Sequence, residues 1–274
     1  MDTTIFTGFE LAARIKQGVK ARVAALGRRP RCTLLLDGSN AGAAAYAQRL
    51  VASADDVGIE MVPAEYAANA EAVRTQLQAE GDAMMALYPI PSFIGRDEVA
   101  RLIGPERDVD GLHPLNAGGV LLGERNARPP ATARACVLIL EELLGSLKGR
   151  EIAVVGASAV VGRPLALMLL DREATVTVCH AATADLASHT REAEVVISAT
   201  GVAGLIRAGH ITEGSILLDV GIVRTEKGLV GDVDLESVSG RASLVTHVPD
   251  GVGPVTTACL LENIVSAAEA RAIS

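Results

Sequence analysis

The stretch EIAVVGASAVVGRPLALMLL, residues 151–170, decides how the chain is read. EIAVV is a β-branched apolar run of strand length, Gly156 interrupts it, and LALMLL continues with helical character behind Pro164. A glycine directly after a strand lets backbone amides approach a pyrophosphate, and the following helix offers its positive N-terminal end to the anion. Pro164 suits the first helical turn, where its missing N–H costs little. The spacing from Gly156 to Gly162 is not GxGxxG, so a plain tight βα connection stays open as the alternative.

Outward from this turn the same alternation recurs. Short apolar runs at 33–37, 61–63, 83–87, 151–155, 175–180, 195–199 and 215–220 read as strands, separated by longer Ala-rich segments. That order is the pattern of an α/β protein with parallel strands and crossover helices. Leu11, Ile15, Val19 and Val23 recur every four residues behind Thr7 as a possible cap, predicting a first helix with one apolar stripe. Two more long helices are expected at 132–147 and 257–270. LGSLKGR at 144–150 marks a change of composition. The expected domains are 1–131, a linking helix at 132–150, a nucleotide-binding domain at 151–250, and a C-terminal helix at 251–274 returning to the first domain.

The 274 residues carry 33 acidic and 25 basic side chains, a net charge of −8, with three Tyr, three Phe and no Trp. A basic stripe and stacking rings are both missing, which argues against a nucleic-acid partner. No run approaches the roughly 20 apolar residues of a bilayer span, and MDTTIFTGFELAARIKQG has the features of neither a secretory signal nor a transit peptide. A soluble, cytoplasmic protein without a membrane partner is expected. Cys32, Cys136, Cys179 and Cys259 are widely spaced in apolar surroundings and read as buried thiols. The five histidines show no HxxxH or HxH spacing, so no metal site is expected. Arg28, Arg29 and Arg31 around Pro30 read as a solvated loop. Ser158, His180 and Asp219 make a formal hydrolase triad, but without a GxSxG elbow.

A dinucleotide site usually carries a selector at the end of its second strand: an acid for the ribose hydroxyls or a base for a 2′-phosphate. Here VTVCHAATADL offers His180 and Thr183, with Asp185 several residues further on. The choice between NAD and NADP is open, and His180 reads equally as an ordinary strand-end histidine. Two further segments combine carboxylates with glycine, RDVDGLHP at 107–114 and VPDGVGPVT at 248–256. Each alone is explained by a turn. Together with a nucleotide-type turn they favour a cleft between domains.

In order along the chain, DGSNAGAAAY, YPIP, RDVDGLHPLN, GASAVVGRP, TVCH, ISATG, LLDVGI, LVGDVD and VPDGVGPVT resemble the FolD family of methylenetetrahydrofolate dehydrogenase/cyclohydrolases over almost the whole length. The resemblance implies an N-terminal α/β catalytic domain, a Rossmann-type NAD(P) domain, a substrate cleft between them and a homodimer. It implies hydride transfer from 5,10-methylenetetrahydrofolate to the nicotinamide, then hydrolysis of the methenyl product to 10-formyltetrahydrofolate. Tyr46 matches the tyrosine that packs on the folate, and Asp110 the aspartate that hydrogen-bonds the pterin. These two are the catalytic candidates. Leu50, Leu87, Pro249, Asp250 and Gly251 join them as substrate-binding positions. Cofactor contacts are implied at Gly156, Ala157, Ser158, Val161, Gly162, Pro164, His180, Thr200, Gly221 and Ile222.

The departures are specific. Leu50 stands where the family pattern has its catalytic lysine, and Leu87 where it has the glutamine partnering that lysine. Arg49, next to Leu50, would point elsewhere on a helix. Removing one member of a buried polar pair costs about 1 to 3 kcal/mol, whereas replacing both by apolar groups is nearly neutral. Hydride transfer chiefly needs positioning, while hydration of the methenyl group needs managed protons, so cyclohydrolase activity should suffer more. Asp250 adds a charge in the PGGVGP-like loop, PATARA at 130–135 replaces PCTPxG, and Ala157 and Ala181 stand where some members carry arginine. Three functions are therefore carried forward: an NAD(P)-dependent dehydrogenase of a tetrahydrofolate-type molecule, a non-catalytic folate- or nucleotide-binding paralogue, and an enzyme of this architecture acting on another pterin-like substrate.

Overall fold

A computed structural model describes residues 2–124, 126–226 and 228–273. Along the chain run β1 (Thr4–Phe6), α1 (Phe9–Leu26), β2 (Arg31–Leu36), α2 (Ala41–Asp56), β3 (Glu60–Glu65), α3 (Ala70–Leu77), β4 (Ala83–Ala86), α4 (Arg96–Ile103), α5 (Pro114–Leu121) and α6 (Ala131–Leu144). They continue as β5 (Glu151–Val155), α7 (Gly162–Leu170), β6 (Thr175–Cys179), α8 (Leu186–Thr190), β7 (Val195–Ser198), β8 (Ile216–Asp219), β9 (Val223–Thr225), β10 (Gly228–Val230), α9 (Leu235–Val238), β11 (Leu244–Thr246) and α10 (Val252–Ile273).

Two units emerge, one of residues 13–131 with 257–274 and one of the residues up to 12 with 132–256. These limits differ from those read in the sequence. The chain start and α6 group with the nucleotide-type unit, and the division near the end falls after Thr256. The reason for the first difference is β1, which had no visible apolar run and pairs in parallel with β11.

The unit of 13–131 and 257–274 holds a parallel three-stranded sheet in the order β3-β2-β4. Leu35, Met84 and Ala86 from the sheet pack with Val73, Leu77, Val99 and Ile103 from α3 and α4. Arg22 links α1 to α10 through Glu262, Ser266 and Glu269. The three arginines around Pro30 are exposed, as a solvated loop requires, and two of them also make ion pairs. Arg28 makes two 2.7 Å bonds to the buried Asp82, which also accepts from the Arg31 amide, and Arg29 pairs with Asp55. A carboxylate just before β4 had no partner in the sequence pattern, and the arginine loop supplies it.

The other unit is built on a parallel six-stranded sheet in the order β1-β11-β8-β7-β5-β6. From β5 the chain moves outward to β6, then returns to the opposite side of β5 as β7. This reversal is the topological switch point of a doubly wound sheet, where ligands bind beyond the carboxyl ends of the strands. Ala153, Val155, Val196 and Leu217 face a core completed by Ile206, Ile211, Val233 and Val238. The first helix begins at Phe9, so Thr7 is not its cap. Gly8 takes that place, its carbonyl accepting from Ala12, because a Cβ there would lie 2.2 Å from the Gly251 carbonyl oxygen. All four cysteines are buried thiols outside any disulfide. Among the described residues no helix is long and apolar enough to cross a membrane.

Candidate functional site

Tyr46 and Leu50 sit one turn apart on α2, a helix whose N-terminus is fixed by Asn40 accepting from the Ala43 amide. Leu50 is fully buried and Arg49 exposed, so the cation beside it does not take its place. Leu87 follows β4, its amide bonded to the Leu35 carbonyl, and its side chain is also buried. Tyr46 and Asp110 form the polar part of this region. Burial, reinforced by Asp110 and opposed by Arg49, pushes the Tyr46 hydroxyl up to about 12.

The segment at 107–114 divides its work between two carboxylates. Asp108 is buried and satisfied by the amides of Asp110 and His113 and by the Asn116 amide nitrogen. Gly111 turns the chain at φ 69°, where a Cβ would meet the Arg128 carbonyl at 2.5 Å. Arg107 is structural, donating to the carbonyls of Leu77, Ala79 and Leu102. Asp110 receives the Ala86 amide and is otherwise raised, by burial first and then by the neighbouring Asp108, to about 7. A carboxyl poised there changes charge under ordinary conditions.

Sequence reasoning missed Tyr66 and gave Tyr88 no role. The Tyr66 hydroxyl donates to the Leu87 carbonyl at 2.9 Å, fixing the backbone at Leu87. The chain has three tyrosines, and Asp110 acts electrostatically on every one of them. Their scarcity elsewhere was the available signal.

In the second unit, Gly156 follows β5 at φ 111°, and a Cβ on it would lie 2.4 Å from the Ala199 carbonyl oxygen. At Gly162, the first residue of α7, a Cβ would lie 1.7 Å from the Gly156 oxygen. Neither position admits a side chain, and no side chain caps α7. Ala157, Ser158 and Val161 complete the turn, with Ser158 Oγ accepting from the Val161 amide, and Pro164 lies buried in the first helical turn. The turn is thus a backbone cradle at the switch point, with the N-terminal amides of α7 left uncapped by any side chain.

At the end of β6 the His180 amide donates to Thr183 Oγ1, while His180 Nδ1 accepts from Ala182. Asp185 is committed elsewhere, capping α8 through the Ser188 amide. Thr200 follows β7 and is held by Asp232, which takes both its amide (2.7 Å) and its hydroxyl (2.9 Å) on Oδ2. Gly221 lies against the same carboxylate, and Ile222 is exposed. The triad does not form. Ser158 and His180 serve these local turns, and Asp219 accepts the amides of Asp232 and Val233.

Pro249, Asp250 and Gly251 fall in the same unit as the cradle, between β11 and α10. Asp250 stands 3.5 Å from His247 Nδ1, and its carbonyl accepts from Gly8. Gly251 is required by crowding, since a Cβ would meet that of Thr246 at 2.6 Å. Among the described residues no cluster of three or more metal-ligating side chains occurs.

Residues 130–272 match the family model described as tetrahydrofolate dehydrogenase/cyclohydrolase, NAD(P)-binding domain. The bifunctional protein FolD of Nocardia farcinica is 42% identical over 98% of this chain and 99% of its own length. The crystal structure of the bifunctional FolD methylenetetrahydrofolate dehydrogenase/cyclohydrolase from Campylobacter jejuni superposes with a TM-score of 0.92 at 36% identity, covering 98% and 99% of the two chains. The Trypanosoma brucei methylenetetrahydrofolate dehydrogenase-cyclohydrolase, solved with NADP cofactor and inhibitor, gives 0.91 at 30% identity over the full length of both.

Proposed function

The chain belongs to the FolD family of tetrahydrofolate dehydrogenase/cyclohydrolases, and from that membership we propose that it oxidises 5,10-methylenetetrahydrofolate to the methenyl form with NAD or NADP. The observation that carries the proposal is the strand-glycine-helix turn at the switch point, where Gly156 and Gly162 let backbone pack on backbone and the start of α7 carries no side-chain cap. The nicotinamide, when bound, supplies the hydride acceptor. The chain's own part is binding and orientation. Gly156, Ala157, Ser158, Val161, Gly162 and Pro164 hold the pyrophosphate, while His180, Thr200, Gly221 and Ile222 border the rest of the dinucleotide. Tyr46 packs on the pterin and Asp110 hydrogen-bonds it, with Pro249, Asp250 and Gly251 as further substrate positions. No Asp, Glu, Lys or Arg occupies 180–183, so both dinucleotides are used, with a preference below roughly 100-fold.

Hydrolysis of the methenyl product is the weaker activity. Leu50 and Leu87 are buried hydrocarbons and can neither carry a proton nor hold a charge. We place the enzyme in the cytoplasm as a homodimer, with no nucleic-acid or membrane partner. The test is direct: purified protein given methylenetetrahydrofolate should reduce NAD or NADP, followed by absorbance. Folate and dinucleotide binding without turnover would favour the non-catalytic paralogue, the reading to which Leu50 and Leu87 also lend support.

A further inference from the structure

Two buried carboxylates stand together at the carboxyl ends of β7 and β8, on the side of β5 away from β6. Asp219 ends β8 and is 5% exposed; Asp232 is fully buried. Asp219 Oδ1 and Oδ2 accept the amides of Asp232 (2.8 Å) and Val233 (3.0 Å). Asp232 Oδ2 gathers Ser198 Oγ, the Thr200 amide and Thr200 Oγ1. Its other oxygen, Oδ1, is buried and accepts no hydrogen bond. That oxygen lies where a Cβ on Gly221 would be, at 1.9 Å, just as Asp219 Oδ2 lies 1.8 Å from a Cβ on Gly231. The two glycines are bare because the carboxylates occupy their side-chain space.

A buried carboxylate oxygen without a hydrogen bond is costly, and the field of a buried carboxylate is poorly screened. Burial and Asp232 push Asp219 up to about 7, opposed by amides alone; no cation is among the groups acting on it. The unbonded carboxylate oxygen of Asp232 therefore lies directly against Gly221, with the second carboxylate, Asp219, beside it. In a doubly wound sheet the two mononucleotide halves lie on opposite sides of the switch point. The turn after β6 belongs to the adenosine half, which puts β7 and β8 under the nicotinamide half. Oxidised nicotinamide is a cation, and reduced nicotinamide is neutral.

We propose that the buried Asp219 and Asp232 pair selects the redox state of the cofactor, favouring the oxidised dinucleotide over the reduced one through the carboxylate charge against Gly221. The inference rests on the dinucleotide reading of this unit. Asp232 acts as well as a positioning residue, since it fixes Thr200 at the rim opposite Gly156. The electrostatic role separates from the structural one because the two redox forms share every group except the charged ring. Loss of positioning weakens both forms together, whereas loss of charge changes their ratio.

The experiment measures dissociation constants of NAD+ and NADH, and of NADP+ and NADPH, by calorimetry on the wild-type protein, Asp232→Asn and Asp219→Asn. The wild type should bind the oxidised form of a pair more tightly, and Asp232→Asn should shift the oxidised-to-reduced ratio by roughly tenfold toward the reduced form. Asp219→Asn should shift it in the same direction. A wild type that binds the reduced form at least as tightly overturns the inference without any variant, which keeps it testable if the substitutions prevent folding. A ratio unmoved in folded variants overturns it while leaving the dinucleotide site intact. Failure of all four dinucleotides to bind overturns the site and the inference together.

Discussion

The carboxyl edges of the two parallel sheets are built on opposite principles. Around Gly156 and Gly162 the site is backbone, and a single methyl group at either position would run into a carbonyl oxygen. Around Tyr46 and Asp110 the site is side chains, and two apolar residues stand where the family pattern has a lysine and a glutamine. A backbone cradle is fixed by excluded volume, so its residues have no substitutes. A side-chain site is fixed by pairing, so both partners can be exchanged while the fold persists.

The largest effect expected from this contrast is at the cradle. Gly156→Val should weaken dinucleotide binding by at least about a thousandfold, because a side chain is barred both by φ and by the Ala199 carbonyl. Calorimetric titration checks it, with circular dichroism confirming that the protein is folded, and near-wild-type affinity would break the comparison. The leucines come next. Leu50→Lys should destabilise by about 3 kcal/mol, since a cation would enter a fully buried apolar position. Adding Leu87→Gln should recover about 1 kcal/mol of that sum through a new polar pair. Urea unfolding measures the coupling, and an assay of methenyl hydrolysis shows whether the pair restores cyclohydrolase turnover. Robust hydrolysis by the unmodified protein would point to another proton carrier.

A smaller effect sharpens the contrast through pH. Asp110 titrates near 7 in the folded chain against about 3.9 unfolded. Its raised value means that the stability it contributes is fully present below pH 4 and is lost as pH rises through 7. Asp110→Asn should therefore melt with the wild type at pH 4 and several °C above it at pH 8, at the expense of folate binding. Scanning calorimetry at the two pH values decides it, and a gap independent of pH would mean that Asp110 is not strained. Smallest is Arg28→Ala, expected to cost about 1 kcal/mol in urea. The pair with Asp82 is bidentate, but Arg28 is 44% exposed and screened by water.

The parts of this molecule legible in its sequence are those encoded in continuous residues. β5, β6, β7 and β8 were readable because each is an apolar run, and the turn at Gly156 because strand, glycine and helix adjoin. β1, β9, β10 and β11 are three residues each and carry no run of their own. The site followed the same rule. Tyr46, Leu50, Leu87 and Asp110 came into view through motifs, whereas Tyr66 touches Leu87 only after β3 and β4 flank β2. The pairing of Asp219 with Asp232 was hidden for a related reason. LLDVGI and LVGDVD carried the family resemblance and Asp219 stood in a formal triad, but that the two carboxylates meet, each filling the side-chain space of a glycine, is visible only in the fold.

The pairing of β1 with β11 sets an order of events during synthesis. Thr4, Ile5 and Phe6 are translated 240 residues ahead of their sheet partners, Leu244, Val245 and Thr246. One border of the six-stranded sheet therefore closes only once residue 246 has been made, long after β5, β6 and β7 can associate through nearer contacts. A nascent chain halted before residue 244 would hold a finished cradle beside an opening strand with nothing to join. In such a fragment β8 becomes an unpaired border, a template for strands of other chains.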